Sequence, residues 1–377
     1  MGVAIGVLPD AQADPLPDAG ATQTDCREVV TAMHNDEGEL RLLPVGDGSD
    51  VGYYDRGQGA TILLVHAGVF SDWFAPLSYQ LPHDRLRVVR MRRSGYRDTA
   101  APAGHMSLAD HARHAALLLN ALGISAAHWV GHSSSCLIGL QLAHDRPGLV
   151  ASLTLLEPAP GGDLSGPAAG QFVAATLGPA MQALSAGDLA GAFDRFMRGI
   201  GGTGYPAIMT SQLGPGSLEV ARAESRFFFT DEVPAVQEWA FGPGQAARIT
   251  QPALVLLGAD SPGLTPLMAE TVQRLAAMLP RARTQTLPSC SHLMPLQQPA
   301  ALARLITGFI DSIPAASTAD TVSPLASSLT TWRCKVAKPS RATARKAAPD
   351  AVAVSWIVMR YGRRLCTATI TTKNEPL

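Results

Sequence analysis

No lysine occurs before residue 335, and the four that follow (Lys335, Lys338, Lys346, Lys373) all lie in the last stretch of the 377-residue chain. The basic positions before them are arginine. With 30 basic and 31 acidic residues the formal charge is −1, so no global field steers the molecule toward nucleic acid or anionic lipid. Long apolar runs are also lacking. Spanning a bilayer needs ~18–20 apolar residues, and the longest candidate, around residues 351–359, is half that and ends at Arg360. The first eight residues have no positive flank and soon meet Pro9 and Asp10, unlike a secretory signal; a cytoplasmic protein with no membrane or nucleic-acid partner is expected. Cysteine is scarce: Cys26, Cys136, Cys290, Cys334 and Cys366 are odd in number and far apart. That excludes a disulfide framework and paired metal ligands. Of the ten histidines the close pair is His111 and His114, inside a helical pattern with no converging carboxylate or thiol. No metal site is expected. Charged residues make up 16% against 46% apolar, enough apolar content for a large buried core and too much for a wholly disordered chain.

Composition divides the chain into zones. Residues 1–37, rich in Ala, Asp, Pro and Thr without periodicity, read as a mobile leader, and 314–377, rich in Ala, Ser, Thr and Lys, as a low-order tail. Between them, strand-like and helix-like runs alternate. Gly46-Asp47-Gly48-Ser49 between two short apolar runs signals a hairpin. Thr61 to His66 is a continuous apolar run, as in a strand buried on both faces, and 86–91, 126–130, 153–156, 253–257 and 282–287 follow as further strands. Ser107 can cap a helix starting at Leu108. Strands alternating with helices imply a mostly parallel sheet covered on both faces. About 95 residues without a strand signal separate the runs at 156 and 253, too long for a plain crossover, so 158–250 reads as an inserted helical cap. The core is then 38–157 plus 251–313.

The chemistry concentrates where strands end. In Trp129-Val130-Gly131-His132-Ser133-Ser134-Ser135 a strand runs through small residues directly into a helix. A serine at the apex of so tight a turn sits in strained backbone with its hydroxyl above the sheet. Ser134 and Ser135 are competing hydroxyls, but only the apex residue points out. His66-Ala67-Gly68-Val69 follows the strongest buried strand, where a loop can aim an N–H at a developing oxyanion. Asp260 lies just past one strand, His292 just past the last, and Glu157 offers a competing carboxylate after 153–156. Cys136 and Cys290 lie beside these residues without basic surroundings to activate a thiol, so both read as packing residues. His66 reads as packed beneath its loop by a hydrogen bond.

Taken together, residues 38–313 resemble the α/β-hydrolase fold family with a helical cap. Ala67 stands where many members have glycine, and Ser135 stands in the elbow's last glycine position; both are small. The resemblance implies Ser133 as nucleophile, His292 as base, Asp260 as the acid that orients it, and the N–H groups of Gly68 and Ser134 as oxyanion hole, with no cofactor. Val69, Phe70, Trp73, His132 and Met294 would line the substrate pocket; the cap carries much aromatic and Met content, such as Phe172 and Phe228, from which it must line the pocket in part, while the helical spacing of Phe193, Phe196 and Met197 reads first as a packing stripe. A small, fairly apolar ester, lactone or related carbonyl compound is the implied substrate. A ligand-binding protein of this fold with weak or lost catalysis, and perhydrolase-like activity, are the alternatives. A dehalogenase or epoxide hydrolase, with aspartate at the apex, does not fit Ser133. Oligomeric state is left open.

Overall fold

A computed structural model describes residues 38–162 and 164–314, together with the backbone of 356–361 and 364–369. The expected leader, and all of the expected tail beyond 314 except two strands, lie outside the described residues. Contacts separate the chain into Met1–Ala316 and Ser317–Leu377. In the second unit β9 (Trp356–Tyr361) and β10 (Arg364–Thr369) pair antiparallel; the sequence reading assigned no strand there.

In the first unit eight strands make one sheet: β1 (Arg41–Pro44), β2 (Asp50–Gly57), β3 (Ala60–Val65), β4 (Leu86–Arg92), β5 (Ala127–His132), β6 (Val150–Leu156), β7 (Ala253–Gly258) and β8 (Ala282–Leu287). Their spatial order is β1-β2-β4-β3-β5-β6-β7-β8. The expected hairpin forms, with Leu43 opposite Val51. β2 joins β4 antiparallel, and from β4 to β8 every neighbouring pair is parallel. This is the doubly covered α/β sheet the sequence implied.

The continuous apolar run in β3 now has its reason. Leu63 and Val65 pack on one face with Val89, Met91, Trp129 and Leu153. Ile62 and Leu64 pack on the other with Val88, Val130, Leu156 and Leu254. Side chains alternate across a strand, so a strand buried on both faces must be apolar at every position. The edge strand β8 shows the converse, with Arg283, Thr284, Gln285 and Thr286 exposed; a polar edge discourages pairing with another chain. Ser107 caps the helix Leu108–Ala121 as expected, and Asp110 closes a capping box back onto its N–H, satisfying two orphan donors.

Between β6 and β7 the described residues are helical, from Pro167 to Ala246, with no strand among them. Two π-turns, Val173–Leu177 and Phe228–Glu232, interrupt these helices. The insertion has its own apolar cluster, in which Phe193, Met197, Tyr205 and Phe229 pack with Trp73 and Leu293 of the core. Insertion and sheet therefore share buried surface above the C-terminal ends of the parallel strands, where open α/β sheets carry their clefts.

Candidate active site

The turn after β5 is built from small residues for spatial reasons. A Cβ on Gly131 would meet the Ser135 carbonyl at 2.7 Å, and one on Gly139 would overlap the Trp129 indole. Strand and helix Ser134–Asp145 thus approach too closely for a side chain at either position. Ser133 sits between them at φ 56°, ψ −118°, a left-handed conformation that costs a non-glycine residue of order 1–3 kcal/mol. Backbone bonds hold it there: its N–H donates to the Leu156 carbonyl (2.9 Å), and its own carbonyl accepts from Cys136 (3.0 Å) and Ala159 (3.2 Å). Ser135, in the last position of the turn, braces it. Its hydroxyl accepts from the His132 N–H (2.7 Å) and donates toward the carbonyls of Val65 (2.5 Å) and His132 (2.9 Å). A glycine there could make none of these bonds.

His292 arrives on the loop after β8. Its Nδ1–H donates to Glu157 Oε2 at 2.7 Å, with both side chains almost wholly buried. The other carboxylate oxygen accepts from the Gly258 N–H at 2.6 Å. Glu157 follows β6 at φ 40°, and Gly258 at the end of β7 lets the loop carrying His292 pass close by; a Cβ there would stand 2.6 Å from the Cys290 carbonyl. Asp260, the acid expected from the sequence, is exposed. It heads the short helix Ser261–Leu264, and its N–H donates to the Cys290 carbonyl (3.0 Å). The expectation at Asp260 is therefore corrected: the carboxylate bonded to the imidazole is Glu157, at the end of β6.

The loop after β3 is pinned from three sides. Trp73 Nε1–H donates to the Gly68 carbonyl at 2.8 Å, and the Gly68 N–H donates to Ser134 Oγ at 3.2 Å. Phe228 and Glu232 of the second π-turn occupy the space a Gly68 Cβ would need. Below the loop, His66 donates from Nδ1 to the Ala67 carbonyl (2.7 Å) and accepts at Nε2 from the Arg93 N–H (3.0 Å). Burial, and then the neighbouring Arg93 charge, push its pKa well below the usual histidine range. A neutral imidazole with one donor and one acceptor fits both bonds. Arg93 reaches on to Glu232, 3.0 Å to each carboxylate oxygen, with both side chains fully buried, and Tyr96 also donates to Glu232. Nothing in the sequence pattern pointed to this pair, because its members are 139 residues apart.

Ser133, Ser134 and His292 line one small cavity of about 70 Å³. Apart from Gln237 its remaining wall is apolar, mainly Phe172, Leu177, Phe196, Ile200, Phe228, Val233 and Met268, and His292 is the one ionisable side chain on it. The expected core wall is corrected. Val69, Phe70, Trp73, His132 and Met294 are all buried and are not among the residues lining this cavity; Phe70 lines a separate one with Tyr54, Arg90 and Glu224. Trp73 stacks on Phe70 and meets His132 edge-on, and His132 lies 4.5 Å from the His292 ring between centroids. Trp73 thus holds the Gly68 carbonyl, and His132 packs against the His292 ring. Of the cap residues Phe172, Phe196 and Phe228 reach it, whereas Phe193 and Met197 are packing residues. Cys136 and Cys290 are free and buried; desolvation pushes both thiols up, Cys290 to about 12. Among the described residues no cluster of three or more His, Cys, Asp or Glu could hold a metal ion, and no helix is long and apolar enough to cross a membrane.

Residues 62–305 match the model of the alpha/beta hydrolase family. Two curated proteins are similar over shorter stretches. The dihydrolipoyllysine-residue acetyltransferase component of an acetoin cleaving system from Cupriavidus necator is 34% identical over 120 residues, 31% of this chain and 32% of that protein. A putative carbamate hydrolase, RutD, from Variovorax paradoxus is 33% identical over 121 residues, 32% of this chain and 38% of that protein. The matched stretches thus span about a third of each curated relative. Among solved structures, a hydrolase from Pseudomonas aeruginosa PA01 superposes with a TM-score of 0.56 at 25% identity, covering 73% of this chain and 99% of that one.

Proposed function

From the premise that the chain belongs to the alpha/beta hydrolase family, a hydrolase family by fold and relatives, we propose that it is a cofactor-independent serine hydrolase working through an acyl-enzyme. The observation that carries this reading is the bond between His292 Nδ1 and Glu157, on an imidazole that shares its cavity with the strained apex residue Ser133. A hydroxyl is a weak nucleophile until a base takes its proton. With Nδ1 committed to the carboxylate, the free Nε2 is the basic nitrogen.

The chemistry follows from those positions. Ser133 Oγ adds to the substrate carbonyl carbon while its proton passes to His292 Nε2. The carbonyl oxygen becomes an oxyanion held by donors at the start of helix Ser134–Asp145, whose dipole also favours negative charge. Glu157 stabilises the imidazolium. As the tetrahedral intermediate collapses, the bond to the leaving group breaks and the leaving oxygen takes the proton from Nε2. Water, giving its proton to the same nitrogen, then attacks the acyl-Ser133 carbonyl; as the second intermediate collapses, the Oγ–acyl bond breaks, Ser133 Oγ takes the proton back from Nε2, and the carboxylic acid leaves.

The wall suggests the substrate class. An apolar cavity of this size favours a short acyl group without charge, because no arginine or lysine stands on it to compensate a carboxylate. Simple esters and lactones of small acids fit best. The test is labelling with a serine-directed fluorophosphonate, with the adduct mapped by mass spectrometry. We expect one adduct, on Ser133, lost in His292→Ala, and hydrolysis of acetyl and butyryl esters well ahead of long-chain ones. A folded protein that takes no label, or that prefers long-chain lipids, would refute the proposal.

A further inference from the structure

Three consecutive serines form the turn, and their hydroxyls are used differently. Ser135 spends its hydroxyl completely on the backbone of the turn and of β3. Ser134 does not. Its Oγ accepts one bond, from the Gly68 N–H at 3.2 Å, and its own proton has no acceptor among the described residues. The residue is 2% exposed and lines the cavity beside Ser133 and His292. A buried hydroxyl holding an unspent donor is a cost unless something arrives to accept it. The Gly68 amide, expected to face the oxyanion directly, is meanwhile already engaged by the Ser134 oxygen.

Resting on the serine-hydrolase reading above, we propose that the Ser134 hydroxyl is a catalytic side-chain donor of the oxyanion hole, and that the Gly68 N–H acts through it. The oxyanion then receives two bonds from one residue, the Ser134 N–H and the Ser134 Oγ–H. Gly68 N–H···Oγ–H···O⁻ is a chain in which each bond polarises the next. Because Trp73 and the π-turn Phe228–Glu232 fix the Gly68 loop, the hydroxyl is held in place before substrate binds, which is where such donors gain their effect. The rival roles for this hydroxyl are a plug, which must leave before the oxyanion can reach the Gly68 amide, and a brace that only holds the loop.

The experiment compares wild type, Ser134→Ala and Ser134→Thr on a short acyl ester, and measures inhibition by a trifluoromethyl ketone, whose adduct with Ser133 carries an oxyanion. Losing one donor of this kind typically lowers kcat about 10²–10³-fold. We expect Ser134→Ala to lose about a hundredfold in kcat with KM unchanged, and the ketone to weaken by a similar factor. Ser134→Thr, which keeps the hydroxyl, should recover most of both. End-point fluorophosphonate labelling of Ser133 should stay stoichiometric in Ser134→Ala, only slower, which separates a lost donor from a lost fold. Should Ser134→Ala not fold, Ser134→Cys, with its weak thiol donor, is expected to show an intermediate loss. A kcat that is unchanged or raised makes the hydroxyl a bystander or plug; a loss confined to KM makes it a brace. Either result overturns the proposal while leaving the Ser133 reading standing. A wild-type protein without label or turnover would overturn both.

Discussion

Replacing Glu157 by glutamine isolates the one group on which sequence order and geometry disagree. The carboxylate makes two bonds, to His292 Nδ1 at 2.7 Å and from the Gly258 N–H at 2.6 Å, and is fully buried. A glutamine can keep the second bond by accepting through its carbonyl oxygen. Its NH2 group then faces His292 Nδ1, which must turn acceptor. The ring proton moves to Nε2, the nitrogen that has to take the proton of Ser133. In a comparable triad that tautomer error lowers kcat about 10⁴-fold, or about 5 kcal/mol of transition-state free energy. Both hydrogen bonds survive in altered form, so folding stability should change by less than about 1 kcal/mol. Steady-state hydrolysis of 4-nitrophenyl acetate measures the first quantity and urea unfolding the second. Asp260→Asn is the matched control, expected within about twofold of wild type, since that side chain is exposed at the head of a short helix. The reasoning fails if Glu157→Gln keeps more than about a tenth of wild-type kcat, or if Asp260→Asn costs a hundredfold or more.

Two further predictions concern stability. Glu232→Ala would strand the fully buried Arg93 guanidinium and should cost about 3–5 kcal/mol; an urea midpoint corresponding to less than about 1 kcal/mol would show that water or another group compensates the charge. Glu224 is buried on the cap helix Ser217–Phe227, accepts from the Ser71 N–H at 2.6 Å, and is pushed up to about 7 by desolvation and then by Asp72, with Arg92 opposing. Its folded value exceeds the ordinary 4.5, so its contribution is full below pH 4.5 and erodes as pH rises toward about 7. The loss amounts to about 3 kcal/mol. The melting temperature of wild type should therefore fall over that window relative to Glu224→Gln, and parallel curves for the two proteins would exclude a raised carboxylate.

The sheet was legible because two-sided burial writes itself into sequence. β3 has no polar residue from Ile62 to Val65, and both of its faces are covered. The hairpin and the Ser107 cap were legible because turn and cap chemistry is local: Gly46 and Gly48 take positive φ, and Ser107 needs a partner only three residues away. The pair β9–β10 was missed although Trp356-Ile357-Val358-Met359 is an apolar, β-prone run, because that run was weighed only against the length needed to span a bilayer. Cap residues showed apolar spacing but not which side of each helix met the cavity. Phe193 and Phe196 lie three residues apart, yet the first packs inside the cap and the second reaches the wall.

The loop after β3 and the carboxylate on His292 show the same limit at the site itself. Val69, Phe70 and Trp73 were expected on the pocket wall, but a linear stretch does not reveal that the loop turns them inward. Instead Trp73 uses its indole to pin the Gly68 carbonyl. Both candidate acids stand just past a parallel strand, and a shorter Asp on β7 matches the familiar chain order as well as a longer Glu on β6. What separates them is the backbone around each. Glu157, turned by its positive φ, reaches the imidazole while its other oxygen takes the Gly258 N–H, and Gly258 has no room for a Cβ against the carbonyls of Cys290 and Ser291 on the loop that carries His292. A sequence shows the glycine and the glutamate 101 residues apart; only the parallel pairing of β6 with β7 brings the amide of one to the carboxylate of the other. Asp260, two residues past that glycine, belongs to a turn already leading out to solvent. The carboxylate on His292 is thus selected by the backbone around it rather than by its own place in a motif, and a side chain on Gly258 should act from the other side, by displacing the Cys290–Ser291 backbone and with it His292.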